Sequence, residues 1–127
     1  MHKHICSMTE TINLILESLS SDLLHKKIIS IKNNPLYGHC YIATEALYYL
    51  LDDDEKINYT PATINVNGTT HWFLKNKKNG DIIDITKEQF NDIKLDYSNS
   101  RNRFFLSPKP SKRTLILLNR IYEKINN

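Results

Sequence analysis

Three residues of this chain are of types that together could do nucleophilic chemistry: Cys40 in "GHCYIATEAL", His71 in "THWFLK" and Asp84 in "NGDIIDIT". A thiol attacks a carbonyl as thiolate, and an unperturbed cysteine pKa of about 8.5 leaves little thiolate at neutral pH. A helix N-terminus and a nearby imidazolium both lower that value. Cys40 stands where a helix is expected to begin, just after Gly38, so the unpaired amides of a first turn would favour the thiolate and could hold an oxyanion. A histidine must then reach the sulfur, and a third group must orient that histidine. Of the five histidines, His2, His4 and His25 have no accompanying pattern, and His39 adjoins Cys40, where backbone neighbours point apart. His71 lies on an expected strand, and Asp84 on the next strand can steady its ring.

Whether that pair can meet depends on the turn between the strands. A two-residue Asn79-Gly80 hairpin would set His71 opposite Glu88 and leave Asp84 four residues away along the ladder. A four-residue loop, Asn76 to Asn79, would pair Lys75 with Gly80 and put His71 directly opposite Asp84. The longer loop is preferred. Asp81, the other candidate, would sit at the turn on the opposite face. Taken singly, each residue also has a plainer use, since a helical cysteine packs as a small apolar group and a strand histidine is commonly structural. On the residues alone both uses stay open.

The elements that must position these side chains follow from spacing. Ser7 to Glu10 has the form of a capping box, and Met8, Ile12, Ile15, Leu16, Leu19 and Leu23 recur at helical intervals. A helix is expected over about 8–25, either continuing through Ile28 and Ile31 or breaking near Ser20-Ser21-Asp22, and ended by Asn33-Asn34-Pro35. The helix after Gly38 carries Ile42, Ala43, Ala46, Leu47, Leu50 and Leu51 as one broad stripe, and the block Asp52-Asp53-Asp54-Glu55 is expected to end it. Strands are expected over Tyr59–Val66, His71–Lys75 and Asp81–Ile85, with Asn67-Gly68 as a hairpin turn and a short helical turn over Thr86–Phe90. Arg103–Leu106 could add a strand. Ser111 is expected to cap a last helix with Leu115, Leu118, Tyr122 and Ile125 on its buried face. Trp72 and Phe90 read as core residues. The whole, residues 1–127, is expected to be one α+β domain.

Composition narrows the class further. Apolar content of 40% and charged content of 24% are those of an ordinary globular chain. No apolar run approaches the ~20 residues of a membrane span, and "MHKHICSMTE" is no secretion signal, so a cytoplasmic protein is expected. In that setting a Cys6–Cys40 disulfide is not expected. His2, His4 and Cys6 are of metal-ligand type but lie at two-residue spacing on a terminus, and no metal is expected. The net charge of +3 is too modest to argue for nucleic acid by itself. Arg101, Arg103, Lys109, Lys112 and Arg113 make the region after residue 100 basic, but no aromatic stacking pattern accompanies them. They read first as a solvated surface, next as a site for an acidic partner, and nucleic-acid binding ranks last.

The strings "GHCYIATEAL", "HWFLK" and "GDIIDITKEQF" resemble a family of small bacterial and phage proteins typified by the YunG-like proteins, over roughly residues 36–90. The part of the likeness centred on Asp84, Thr86, Gln89 and Phe90 is the most specific. More distantly the order of Cys, His and Asp is similar to that of the papain-like and transglutaminase-like cysteine enzymes. The resemblance implies a papain-like α+β core, with Cys40 as nucleophile, His71 as base and Asp84 as orienter. It further implies that Thr86 caps the following turn and supports Asp84, that Gln89 ties that turn to the sheet, and that Asn34 has an oxyanion role. The implied activity is a cysteine hydrolase or acyltransferase of peptidase, amidase or deamidase type, acting on a protein, peptide or other amide-bearing substrate without a cofactor. The alternative is a non-enzymatic binding module on the same fold, phage-encoded and directed at a host defence partner.

Overall fold

The structure, a computed structural model, describes residues 7–23, 39–90 and 93–126. Its first helix, α1 (Met8–Ser18), starts with the expected capping box: Glu10 N–H donates to Ser7 Oγ at 3.1 Å and Ser7 N–H to the Glu10 carboxylate at 3.0 Å. The helix stops well short of residue 25. Ser18 Oγ turns back to the Leu14 carbonyl at 2.7 Å, and a single 3₁₀ turn, Ser21–Leu23, follows. Serines and aspartates compete for the backbone in this way, so the break near Ser20-Ser21-Asp22 is the outcome that occurs. A continuation through Ile28 and Ile31 would fall outside the described residues.

Helix α2 (Cys40–Leu50) is enclosed more fully than one apolar stripe requires. Ile42, Ala43, Ala46 and Leu47 are wholly buried, and so are Thr44 and Glu45 on the flank. The helix packs against α1, the sheet and the last helix. Its end is closed by Leu51, whose N–H bonds the carbonyls of Leu47 and Tyr48, both at 3.2 Å. The acidic block does more than terminate it: Asp53–Lys56 forms a helical turn of its own, α3, with its carboxylates at the N-terminus that favours them.

Four antiparallel strands follow among the described residues: β1 (Tyr59–Val66), β2 (Thr69–Asn76), β3 (Ile82–Ile83) and β4 (Arg101–Asn102), ordered β3-β2-β1-β4 in an open sheet. Asn67 (φ 52°) and Gly68 (φ 83°) both take left-handed backbone in the β1–β2 turn, the conformation an Asn-Gly hairpin selects. Pairing of His71 with Ile64 and Phe73 with Ala62 puts these four on one face. Trp72, Leu74, Thr63 and Pro61 occupy the other. The second face meets the helices in the main core of Ile15, Leu47, Leu74, Leu117 and Ile121; the first builds a smaller cluster of Ala62, Ile64, Val66 and Phe73 under Leu95 and Tyr97.

The fourth strand is Arg101–Asn102 and not 103–106. Its ladder runs out at Pro61, which accepts Arg103 N–H at 2.8 Å but has no N–H to return. The chain then leaves the sheet, and Leu106 N–H donates to Tyr41 OH at 2.9 Å.

A last helix, α4 (Lys112–Asn126), is capped by Ser111, whose Oγ accepts Thr114 N–H at 3.2 Å. Its buried face is Thr114, Leu117, Leu118 and Ile121, while Leu115 and Tyr122 are 47% and 45% exposed. The expected stripe is therefore rotated, because contact with both α1 and α2 selects the residues around Leu117 and Ile121. Accordingly, Leu117→Ala should cost roughly 2–5 kcal/mol in a urea or thermal unfolding measurement. Leu115→Ala should stay within about 1 kcal/mol; equal losses would contradict this helix orientation.

Candidate active site

Cys40 is the first residue of α2 and a free thiol. Ala43 N–H is bonded to the His39 carbonyl at 2.9 Å, so the amides of Cys40, Tyr41 and Ile42 have no acceptor within the helix. The helix start is pinned from behind by His39, buried, with Nε2 donating to the Ser20 carbonyl at 3.0 Å. From the front it abuts β2, where Cys40 Sγ lies 3.9 Å from the Thr70 carbonyl. Cys40 is 8% exposed and His71 not at all.

His71 and Asp84 are brought together. His71 Nε2 lies 2.7 Å from Asp84 Oδ2, and the Asp84 side chain is 2% exposed. The register that achieves this is not the expected one. The loop does have four residues, but it is Lys77–Gly80: Asn76 N–H bonds the Asp81 carbonyl at 2.8 Å, and Lys75 pairs with Ile82 rather than Gly80. Asn76 drives the slip, since its Oδ1 accepts the N–H groups of Lys78 at 2.8 Å and Asn79 at 3.3 Å. Gly80 (φ 77°) supplies the left-handed residue that closes the loop. The slip displaces the facing register by two residues, which keeps every side chain on its face. Asp84 therefore stands diagonal to His71 instead of opposite it, beyond the last ladder pair at Ile83, and its side chain closes the gap.

Tyr97 completes the arrangement, and sequence reasoning missed it. Its hydroxyl donates to Asp84 Oδ2 at 2.7 Å, the same oxygen that His71 engages, while its ring packs edge-on against Phe73 at 5.0 Å. Burial and the Asp84 charge push the Tyr97 phenol far above its ordinary pKa, so it stays a donor. No spacing signal marks Tyr97, which lies on an irregular segment.

Burial works against a charged His71 ring, but the hydrogen bond to Asp84 and the neighbouring Cys40 sulfur outweigh it and raise the imidazole pKa to about 9. With Nε2 held by Asp84, Nδ1 is the remaining ring nitrogen.

The other expected site residues fare differently. Thr86 is buried to 1% exposure, yet its hydroxyl meets no hydrogen-bond partner among the described residues, where it neither caps the Lys87–Phe90 turn nor bonds Asp84. Asp84 Oδ1 is likewise buried without a partner. Gln89 and Phe90 lie in that 3₁₀ turn, with their side chains outside the described residues, as are Asn34, His2, His4 and Cys6. Trp72 points to the helix side, edge-on to Tyr41 at 4.8 Å and stacked near Phe105 at 6.3 Å, a packing role. Among the described residues no group of three His, Cys, Asp or Glu side chains is placed to hold a metal ion.

The raised His71 pKa sets a pH dependence of stability. A folded value of about 9 against an ordinary 6.5 means the contribution is fully present below 6.5 and is lost as pH rises through about 9. Urea unfolding of wild type and His71→Gln should therefore show a stability gap that narrows across that interval. A gap that does not change with pH would contradict a charged ring.

Compared with protein-family models, with curated proteins and with solved structures, the chain matches none.

Proposed function

We propose that this protein is a small papain-like cysteine hydrolase or acyltransferase working through an acyl-thioester on Cys40. The observation that carries the reading is the buried His71–Asp84 hydrogen bond of 2.7 Å, with the Cys40 sulfur contributing to the raised proton affinity of the same ring. In the reaction the Cys40 proton already resides on His71 as the imidazolium, and Sγ forms a bond to the carbonyl carbon of an amide or ester. The unpaired amides at the start of α2 are donors for the resulting oxyanion. The C–N or C–O bond then breaks, and the imidazolium returns the proton to the leaving amine or alcohol. Water repeats the cycle on the thioester, losing its proton to His71 and releasing a carboxylic acid; an amine in place of water gives transfer. Asp84, with Tyr97, holds the ring throughout.

A second reading, a non-enzymatic binding module on the same fold, draws on the near-complete burial of Cys40 and His71. Labelling with iodoacetamide, followed by mass spectrometry, separates the two. Catalysis requires Cys40 in the folded wild type to be labelled at neutral pH at least ten times faster than in the His71→Ala variant, a difference of about 1.4 kcal/mol. Cys40→Ala should remove the labelled site with the fold intact by circular dichroism. A Cys40 that reacts only on unfolding would leave the binding-module reading.

A further inference from the structure

A cleft of about 610 Å³ opens along β1 and β4, within the range of small-ligand sites. Its walls bring together Thr63, Asn65, Thr70, Lys94, Arg101 and Arg103. Thr70 ties it to the thiol: its carbonyl meets Cys40 Sγ at 3.9 Å and the same residue lines the cleft, so one residue stands between cleft and sulfur. Register also places Arg101 beside Thr63 and Thr70 beside Asn65, on one face of the sheet.

The charge of the cleft is cationic and uncommitted. Arg103 Nε donates to Thr63 Oγ1 at 3.0 Å, which fixes the guanidinium on the cleft wall, and its terminal nitrogens meet no acceptor among the described residues. Among the described residues Arg101 and Lys94 form no ion pair. Asp96 is the opposing carboxylate in the lining, and it is already occupied in accepting Ser98 N–H at 3.0 Å. Two guanidinium groups flanked by Asn and Thr side chains match a carboxylate, which a planar fork binds through two parallel hydrogen bonds.

We propose that this cleft is the substrate subsite beside Cys40 and takes the carboxylate of an acidic acyl substrate on Arg101 and Arg103. The inference rests on the cysteine-enzyme reading and adds the substrate class. Strand β4 lies two strand spacings, about 10 Å, from β2, so the recognised carboxylate is remote from the reacting carbonyl and selects substrate without joining the chemistry.

The test uses thiol alkylation with a ruler. Iodoacetamides carrying an alkyl chain that ends in a carboxylate are compared with the same chains ending in a carboxamide, over lengths that bracket this span. In each reaction Cys40 Sγ displaces iodide and its proton passes to solvent through His71. The best carboxylate should label Cys40 on the order of ten-fold faster than its carboxamide, the worth of one charge-assisted hydrogen bond, and added salt should shrink the ratio. Arg101→Ala with Arg103→Ala should bring the ratio to unity, whereas Lys109→Ala, outside the cleft, should not. If iodoacetamide labels Cys40 but no carboxylate outruns its carboxamide, the subsite is wrong and the enzyme reading stands. If iodoacetamide fails to label folded Cys40, both are overturned.

Discussion

Enclosure of α2 is the constraint from which the rest of the arrangement follows. A helix with Ile42, Ala43, Thr44, Glu45, Ala46 and Leu47 all buried has no freedom to slide or rotate against its neighbours. Its first residue is thereby held at one point on β2, and the sulfur of Cys40 is held with it. Glu45 shows how strict the enclosure is. Its carboxylate is wholly buried and is satisfied by Tyr41 OH at 3.1 Å and Ser111 N–H at 3.0 Å, so α2 also fixes the start of α4. Burial of a carboxylate is tolerated only with such partners. The bond draws on Tyr41, whose phenol burial pushes up to about 12 and keeps protonated as a donor.

On the far face of the sheet a second set of buried polar groups faces the same requirement. His71, Asp84 and Tyr97 share the oxygen Asp84 Oδ2, and that sharing lets an acid and a base stay buried beside Phe73 and Ile64. Asp84 Oδ1 and Thr86 Oγ1 nonetheless lack partners among the described residues, which carries a desolvation cost.

Much of this was legible in the chain. The capping box at Ser7, the Asn67-Gly68 turn, the bounds of β1 and the Ser111 cap are local, decided by side chains bonding backbone a few residues away. What was misjudged depended on distant partners. The fourth strand moved to Arg101–Asn102 because a proline on another strand ends the ladder, and α4 rotated because two helices compete for its face. The loop before β3 had the expected length but slid by one residue, since Asn76 forms two side-chain bonds that a count of turn residues does not weigh.

Residue types and spacing were enough to nominate Cys40, His71 and Asp84, because face parity on a strand survives a register error of two residues. Tertiary structure alone decided that Asp84 reaches His71 diagonally, that Tyr97 shares its oxygen, and that a cationic cleft borders Thr70. Periodicity is a property of neighbouring residues, whereas a shared hydrogen-bond acceptor and a cleft wall are made by segments that only the packed core brings together.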